Sequence, residues 1–182
     1  ATTEIYTLSL HDALPIYFSD ALPGSNAPLR EEKIKGNRNF VNKIWNASRF
    51  ILMNIEDLEL EKISKCKVDT KSKRIEKTHE HISKVVKYLE KYQFNLGAED
   101  IREFFWHTVC DIWIEEIKQE IQGKEVGSEE RITKLAELLY ILKENLKIMH
   151  PFIPFITESV WQELVELKLA EGNLMSQQIL VK

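Results

Sequence analysis

Apolar residues recur at helical spacing along most of this chain. Between Arg30 and Asn54 there is no Pro and only one Gly, Gly36. At 100° per residue, Ile34, Val41, Trp45, Ser48, Leu52 and Ile55 fall on one face there, with Ile44 and Ile51 at its edge. A second helix is expected from about Ile75 to Tyr92, on the stripe Ile75, Ile82, Val85, Val86 and Leu89. A third should start near Leu96 and run to about Gln122, carrying Ile101, Phe104, Phe105, Val109, Ile112, Trp113 and Ile117. Gly123 and Gly127 break it. Ser128 opens a fourth, with the strong stripe Ile132, Leu135, Leu138, Leu139, Leu142, Leu146 and Met149. Pro151 ends it, because the ring clashes with the preceding turn and carries no N–H. Pro154 suits the first turn of a fifth helix, through Thr157, Val160, Trp161, Leu164 and Leu167. The acidic stretch Glu56–Glu61 and the Lys-rich stretch Lys62–Arg74 read as connection. Gly172-Asn173 stops the fifth helix, and Gln178 to Val181 reads as a short extended tail. Long helices joined by short loops imply an all-α fold, an antiparallel bundle of about five helices. Its expected bounds are 30–172, with 173–182 beginning a C-terminal extension.

The polar side of the first helix is unusual. Asn39, Lys43, Asn46 and Phe50 follow one another at spacings of four, three and four, and so line one ridge. Arg38, Asn42 and Arg49 flank it. A helix built only to pack would carry Glu, Lys or Ala there, since Asn is a poor helix former. Aromatic, amide and cation together suit single-stranded RNA: a base stacks on the ring, amides read its edge, and cations hold phosphate. The residues leave a second reading open, in which Phe50 packs on a neighbouring helix and the Asn side chains cap or bridge.

Composition removes classes of function. With 182 residues, 43% hydrophobic, six Gly and five Pro, the chain can bury a core and is not disordered in composition. No apolar run reaches the eighteen or so residues of a membrane span. Cys66 and Cys110 are expected as free thiols in a reducing, cytoplasmic setting. The formal net charge of −4 hides a division. Residues 30–91 carry 16 basic and 10 acidic groups, whereas 92–182 carry 9 and 16. The basic half, which holds the ridge, could dock on a polyanion.

Candidates for chemistry are poor. His107, Cys110 and Asp111 lie within about a turn, but inside an apolar run and without a second ligand pair at metal spacing. A buried thiol and a satisfied imidazole are expected there. His79 and His81, two apart, should face different sides of their helix. His150 precedes Pro151 at a helix end, where a dipole contact explains it. No phosphate-binding Gly-rich loop and no HExxH occurs. No catalytic residue and no metal ligand is assigned.

The first sixteen residues, ATTEIYTLSLHDALPI, fit no element of this scheme. Glu4, His11 and Asp12 interrupt any apolar core of a signal peptide, and no Lys or Arg precedes Arg30. The stretch resembles the conceptual translation of a constant adapter used in short-read DNA sequencing, and is expected to be a library scar. Residues 17–29, with Pro-Gly-Ser-Asn-Ala-Pro, read as a loop.

The run Gly36-Asn37-Arg38-Asn39-Phe40-Val41-Asn42-Lys43-Ile44-Trp45-Asn46-Ala47-Ser48-Arg49-Phe50 resembles the opening helix of the anticodon-binding domain of valyl-tRNA synthetases. Tyr92-Gln93-Phe94, followed by Ile101-Arg102-Glu103-Phe104-Phe105-Trp106-His107 and Cys110-Asp111, resembles that family's central helix. His150-Pro151-Phe152-Ile153-Pro154-Phe155-Ile156-Thr157-Glu158 with Trp161 resembles its penultimate segment, an element shared with the enzymes for other branched amino acids. Two features depart from the family: a Trp before the second helix is missing, and Glu32 stands where a basic residue is usual. The resemblance implies recognition of the anticodon stem-loop of valine tRNA, with Lys43 and Phe50 on the anticodon and Phe50 stacked near its last bases. Arg38, Asn39, Asn42, Asn46 and Arg49 are carried as further contacts, Asn42 and Arg49 also being placed to serve helix packing. It implies a fragment of a class I enzyme that joins valine to its tRNA with ATP and Mg²⁺, the catalytic and editing domains lying elsewhere in the parent. Two alternatives stand beside it: the equivalent domain of an isoleucyl- or leucyl-tRNA synthetase, and a helical protein-interaction module that binds no RNA.

Overall fold

A computed structural model describes residues 31–55 and 57–179, and the regular elements among them are all helical. They are α1 (Glu31–Met53), α2 (Asp57–Lys65), α3 (Lys73–Glu90), α4 (Phe94–Glu103), α5 (Ile114–Ile121), α6 (Glu129–Met149) and α7 (Pro154–Glu166). A π-helical segment, Phe104–Trp113, joins α4 to α5, and Leu174–Ser176 forms a single 3₁₀ turn. The expected adapter scar, the 17–29 loop and the last residues of the tail lie outside the described residues.

Each boundary has a local cause. Glu31 and Glu32 place negative charge at the positive end of the α1 dipole. Gly123 (φ 73°) and Gly127 (φ 81°) take the left-handed turns that release α5 and reopen the chain for α6. Pro154 sits in the first turn of α7, where a missing N–H costs nothing. The indole of Trp161 then donates to Gly172 O at 3.1 Å, tying the chain after α7 back onto that helix.

Side-chain pairings fix the directions. Arg102 reaches Asn37, Asp111 meets Lys43 and Lys118 lies over Phe50, so α1 runs parallel to the helix formed by α4, the π segment and α5. Glu120 pairs with Lys134, and His150 with Thr157, as antiparallel neighbours α5–α6 and α6–α7 require. Sequential long helices alternate in direction and non-sequential neighbours run parallel, which is the expected antiparallel bundle. Helix α6 is its centre: Leu135, Ile141, Leu142, Leu146, Ile148 and Met149 are buried around its circumference.

Three sequence expectations need correction. The segment 56–74 is not all connection, because Asp57–Lys65 forms α2, whose Ile63 is buried and whose Glu59 is held by Arg131. Helix α2 is set by tertiary partners that its short, charged sequence does not announce. The third helix is not uniform either. Its aromatic middle is wound in the looser π form, which shifts the register of everything beyond it. Ile112, in line with Ile101 and Phe105 at helical spacing, is therefore turned outward and 49% exposed. Finally, the buried arc of α1 is Asn37, Phe40, Val41, Ile44, Ala47, Ser48, Ile51 and Ile55. It is rotated by about 60° from the predicted stripe, leaving Ile34, Trp45 and Leu52 half-buried.

Candidate nucleic-acid interface

The rotation of α1 changes the setting of its polar ridge. Asn39, Lys43, Asn46 and Phe50 do form one line, but it borders the buried arc rather than opposing it. Lys43 and Phe50, nearest the arc, are half-buried, whereas Asn39 and Asn46 are exposed. The ridge runs alongside the π segment and α5, and these supply its other wall.

Three residues of that wall touch the ridge: Asp111, Trp106 and Lys118. Lys43 Nζ donates to Asp111 Oδ1 at 2.9 Å and stands 5.7 Å from the centre of the Trp106 ring. Trp106 stacks in turn on buried Phe40, with centroids 6.3 Å apart and planes 13° from parallel. The other oxygen of Asp111 lies 3.1 Å from His107 Nδ1. The Lys43 hydrogen bond is the main reason why the Asp111 carboxyl is held below its usual range; burial opposes it, and His107 adds to the lowering. Lys118 Nζ lies 5.6 Å from the Phe50 ring centre and 3.4 Å from Glu115 Oε2. Phe50 itself packs against the core cluster, so its inner side is structural and its outer side open.

The flanking basic residues are not brought to this ridge. Arg49 is exposed on the other flank of α1, close enough to α7 to act on the Glu163 carboxyl, whose pKa burial raises and Arg49 lowers. Arg38 lies on that same flank, half-buried, its Nε enclosed without an acceptor. Asn42 falls between the two sides, half-buried. Trp106, Asp111 and Lys118 line the ridge and His107 backs Asp111, although the sequence pattern assigns none of them to it. Spacing within one helix exposes a ridge, but not which later helix will lie beside it, and the π register conceals that Trp106 and Asp111 share a side.

The remaining chemical candidates behave as structural groups. Cys110 is buried, and desolvation pushes its thiol up to about 12, so it stays protonated at neutral pH. His107 is exposed on the surface of the π segment, between Asp111 and Glu103. His79 and His81 are both buried: His79 Nε2 meets Tyr140 Oη at 2.9 Å, and His81 stacks on Phe104 with centroids 3.9 Å apart. Among the described residues, no group of three or more His, Cys, Asp or Glu is placed to hold a metal ion. No described helix is long and apolar enough to cross a membrane.

The family model described as "Anticodon-binding domain of tRNA ligase" matches residues 73–180. Proteins named valine–tRNA ligase are similar over more of the chain. The one from Fervidobacterium nodosum is 42% identical over 131 residues, 70% of this chain and 14% of its own length. The one from Aquifex aeolicus is 37% identical over 186 residues, 91% and 16% respectively. The one from Bacillus anthracis is 33% identical over 156 residues, 84% and 18%. Alignments that cover 84% or 91% of this chain leave too few residues outside to omit Glu31–Met53, so α1 is included although the family model starts after it. The chain spans less than a fifth of the length of these relatives. With its match over more than half of the sequence, the chain belongs to the family of anticodon-binding domains of tRNA ligases.

Proposed function

We propose that this chain recognises the anticodon stem-loop of valine tRNA, as the anticodon-binding part of a valine–tRNA ligase. The observation that carries the reading is the ridge: a half-open Phe50, exposed Asn39 and Asn46, and Lys43 fixed between Asp111 and Trp106, on a helix shared with relatives named valine–tRNA ligase. A base of the anticodon stacks on the outer part of Phe50, where stacking is worth roughly 1–3 kcal/mol. Asn39 and Asn46 each offer a donor and an acceptor to base edges, and Lys43 offers a donor. Arg38, Asn42 and Arg49 sit to the side and serve, at most, the adjoining backbone.

No step of aminoacyl transfer is assigned to these residues. ATP and Mg²⁺ belong to the parts of the parent enzyme outside this chain, where ATP activates the amino acid. The role of this bundle is to hold the anticodon loop so that the distant acceptor end of the tRNA can enter that site. The test is binding of the chain to hairpins carrying the valine anticodon or a swapped one, measured by fluorescence anisotropy over a salt series. Preference for the valine hairpin is expected. Equal affinity for all anticodons would leave only a generic basic surface, and a preference for an isoleucine or leucine hairpin would move the assignment to those enzymes.

A further inference from the structure

We propose that Asp111 is the positioning residue that makes the ridge selective, by holding the Lys43 ammonium as one fixed donor for a base edge and withholding it from phosphate. This rests on the anticodon reading given above. An ammonium has three N–H donors and no preferred partner. Here one is committed to Asp111 Oδ1 at 2.9 Å, while the Trp106 ring, 5.7 Å from the nitrogen, attracts the cation from a second side. Asp111 is itself fixed through its second oxygen by His107, four residues earlier on the same helix. What faces the ridge is therefore an oriented donor beside a stacking ring, with its charge balanced at contact distance.

The neighbouring cation is arranged alike. Lys118, over Phe50, has Glu115 one turn away. The excess of basic residues in the first half of the chain is thus not expressed along the ridge itself. Free cations bind phosphate whatever the sequence, whereas selectivity comes from contacts to base edges. A carboxylate beside Lys43 repels a passing phosphate but leaves a base, which is neutral, free to approach.

The experiment compares the chain with its D111N, K43M and K43M/D111N variants, each against valine and swapped-anticodon hairpins over a salt series. D111N should bind the swapped hairpin about fivefold more tightly, as expected for one unmasked surface charge. It should steepen the slope of log K against log salt by about 0.7, the value for one additional ion contact on a single strand. The ratio between valine and swapped hairpins should fall. In the K43M background D111N relieves repulsion towards both hairpins alike, so the ratio between them should change by less than about twofold, because the aspartate orients a base contact only through Lys43. D111N that weakens both hairpins equally, with slope and ratio unchanged, would make Asp111 a structural residue and overturn the proposal. So would an undiminished D111N effect on the hairpin ratio in the K43M background. A parent chain that does not distinguish the hairpins overturns the anticodon reading and this proposal together; discrimination that survives D111N overturns this proposal alone.

Discussion

Two ion pairs join the early helices to the later ones at the same 2.9 Å separation, and they do different work. Glu59 and Arg131 are 0% and 11% exposed, whereas Lys43 and Asp111 are 33% and 42% exposed. The buried pair is surrounded by further bonds: Gly127 N also donates to Glu59 Oε1 at 2.9 Å, and Arg131 Nη2 donates to Asn54 O at 2.6 Å. It closes the end of α1, α2 and the start of α6 as one unit. The outer pair shares its carboxylate with an exposed histidine and faces solvent on one side. Separation alone therefore does not assign a role. Burial and the number of additional partners decide whether a charge pair serves the fold or remains available to a ligand.

The largest effect expected from this contrast is on the buried side. Glu59→Ala strands the Arg131 guanidinium and removes the acceptor for Gly127 N. Breaking a buried pair on one side costs about 3–5 kcal/mol, which urea unfolding would read directly. Hairpin binding, measured where the variant is still folded, should keep its anticodon preference. A loss of preference without a loss of stability would invert the assignment of the two pairs.

The ridge should show the reverse pattern. Phe50→Ala is expected to weaken binding of the valine hairpin by roughly 1–3 kcal/mol, the range for one base–aromatic stack. Its stability should fall by less than a fully buried Phe would lose, since only the inner side of the ring packs on the core. A variant that unfolds readily and binds normally once folded would make Phe50 a packing residue and favour the protein-interaction reading.

Much of this was legible in the sequence, for a definable reason. Helices α3, α6 and α7 follow their apolar stripes, and Pro154, Gly123 and Gly127 mark real boundaries, because these signals are local. Gly172 does not, since α7 ends at Glu166 and Lys168 (φ 59°) takes the left-handed turn. The ridge was legible too, since Asn39, Lys43, Asn46 and Phe50 need only a regular α-helix to align. What failed depended on long-range contacts. Asn37 is buried on α1 although it does not look like a core residue, and Arg102 supplies it with a partner. That is why the stripe was placed about 60° from its true position. Trp106 and Asp111 joined the site only because a π segment and a parallel helix brought them there.

His81 offers a pH test on a group that belongs to neither pair. Burial lowers its pKa to about 4 from the ordinary 6.5, only partly opposed by Asp100, while Lys84 adds to the lowering. Between those values the unfolded chain binds the proton and the folded chain does not. The stabilisation is complete above about pH 6.5 and is lost as pH falls towards 4. Between pH 7 and pH 5 the chain should lose on the order of 1–2 kcal/mol more than His81→Gln. Parallel pH profiles for the two proteins would show that the ring is not buried in the neutral form.

The smallest effect closes the contrast. Lys43 and Asp111 are each about a third or more exposed, and surface pairs of this kind contribute little to stability, typically below about 1 kcal/mol. Asp111→Asn keeps a side-chain oxygen for Lys43 and removes only the charge. Its unfolding free energy should therefore stay within roughly 0.5 kcal/mol of the parent, while its hairpin selectivity changes. Calorimetry on the same samples used for binding separates the two. A large drop in stability would mean that the outer pair is fastening α1 to the π segment much as Glu59 fastens α2 to α6. The different exposures of the two pairs would then no longer predict their different roles.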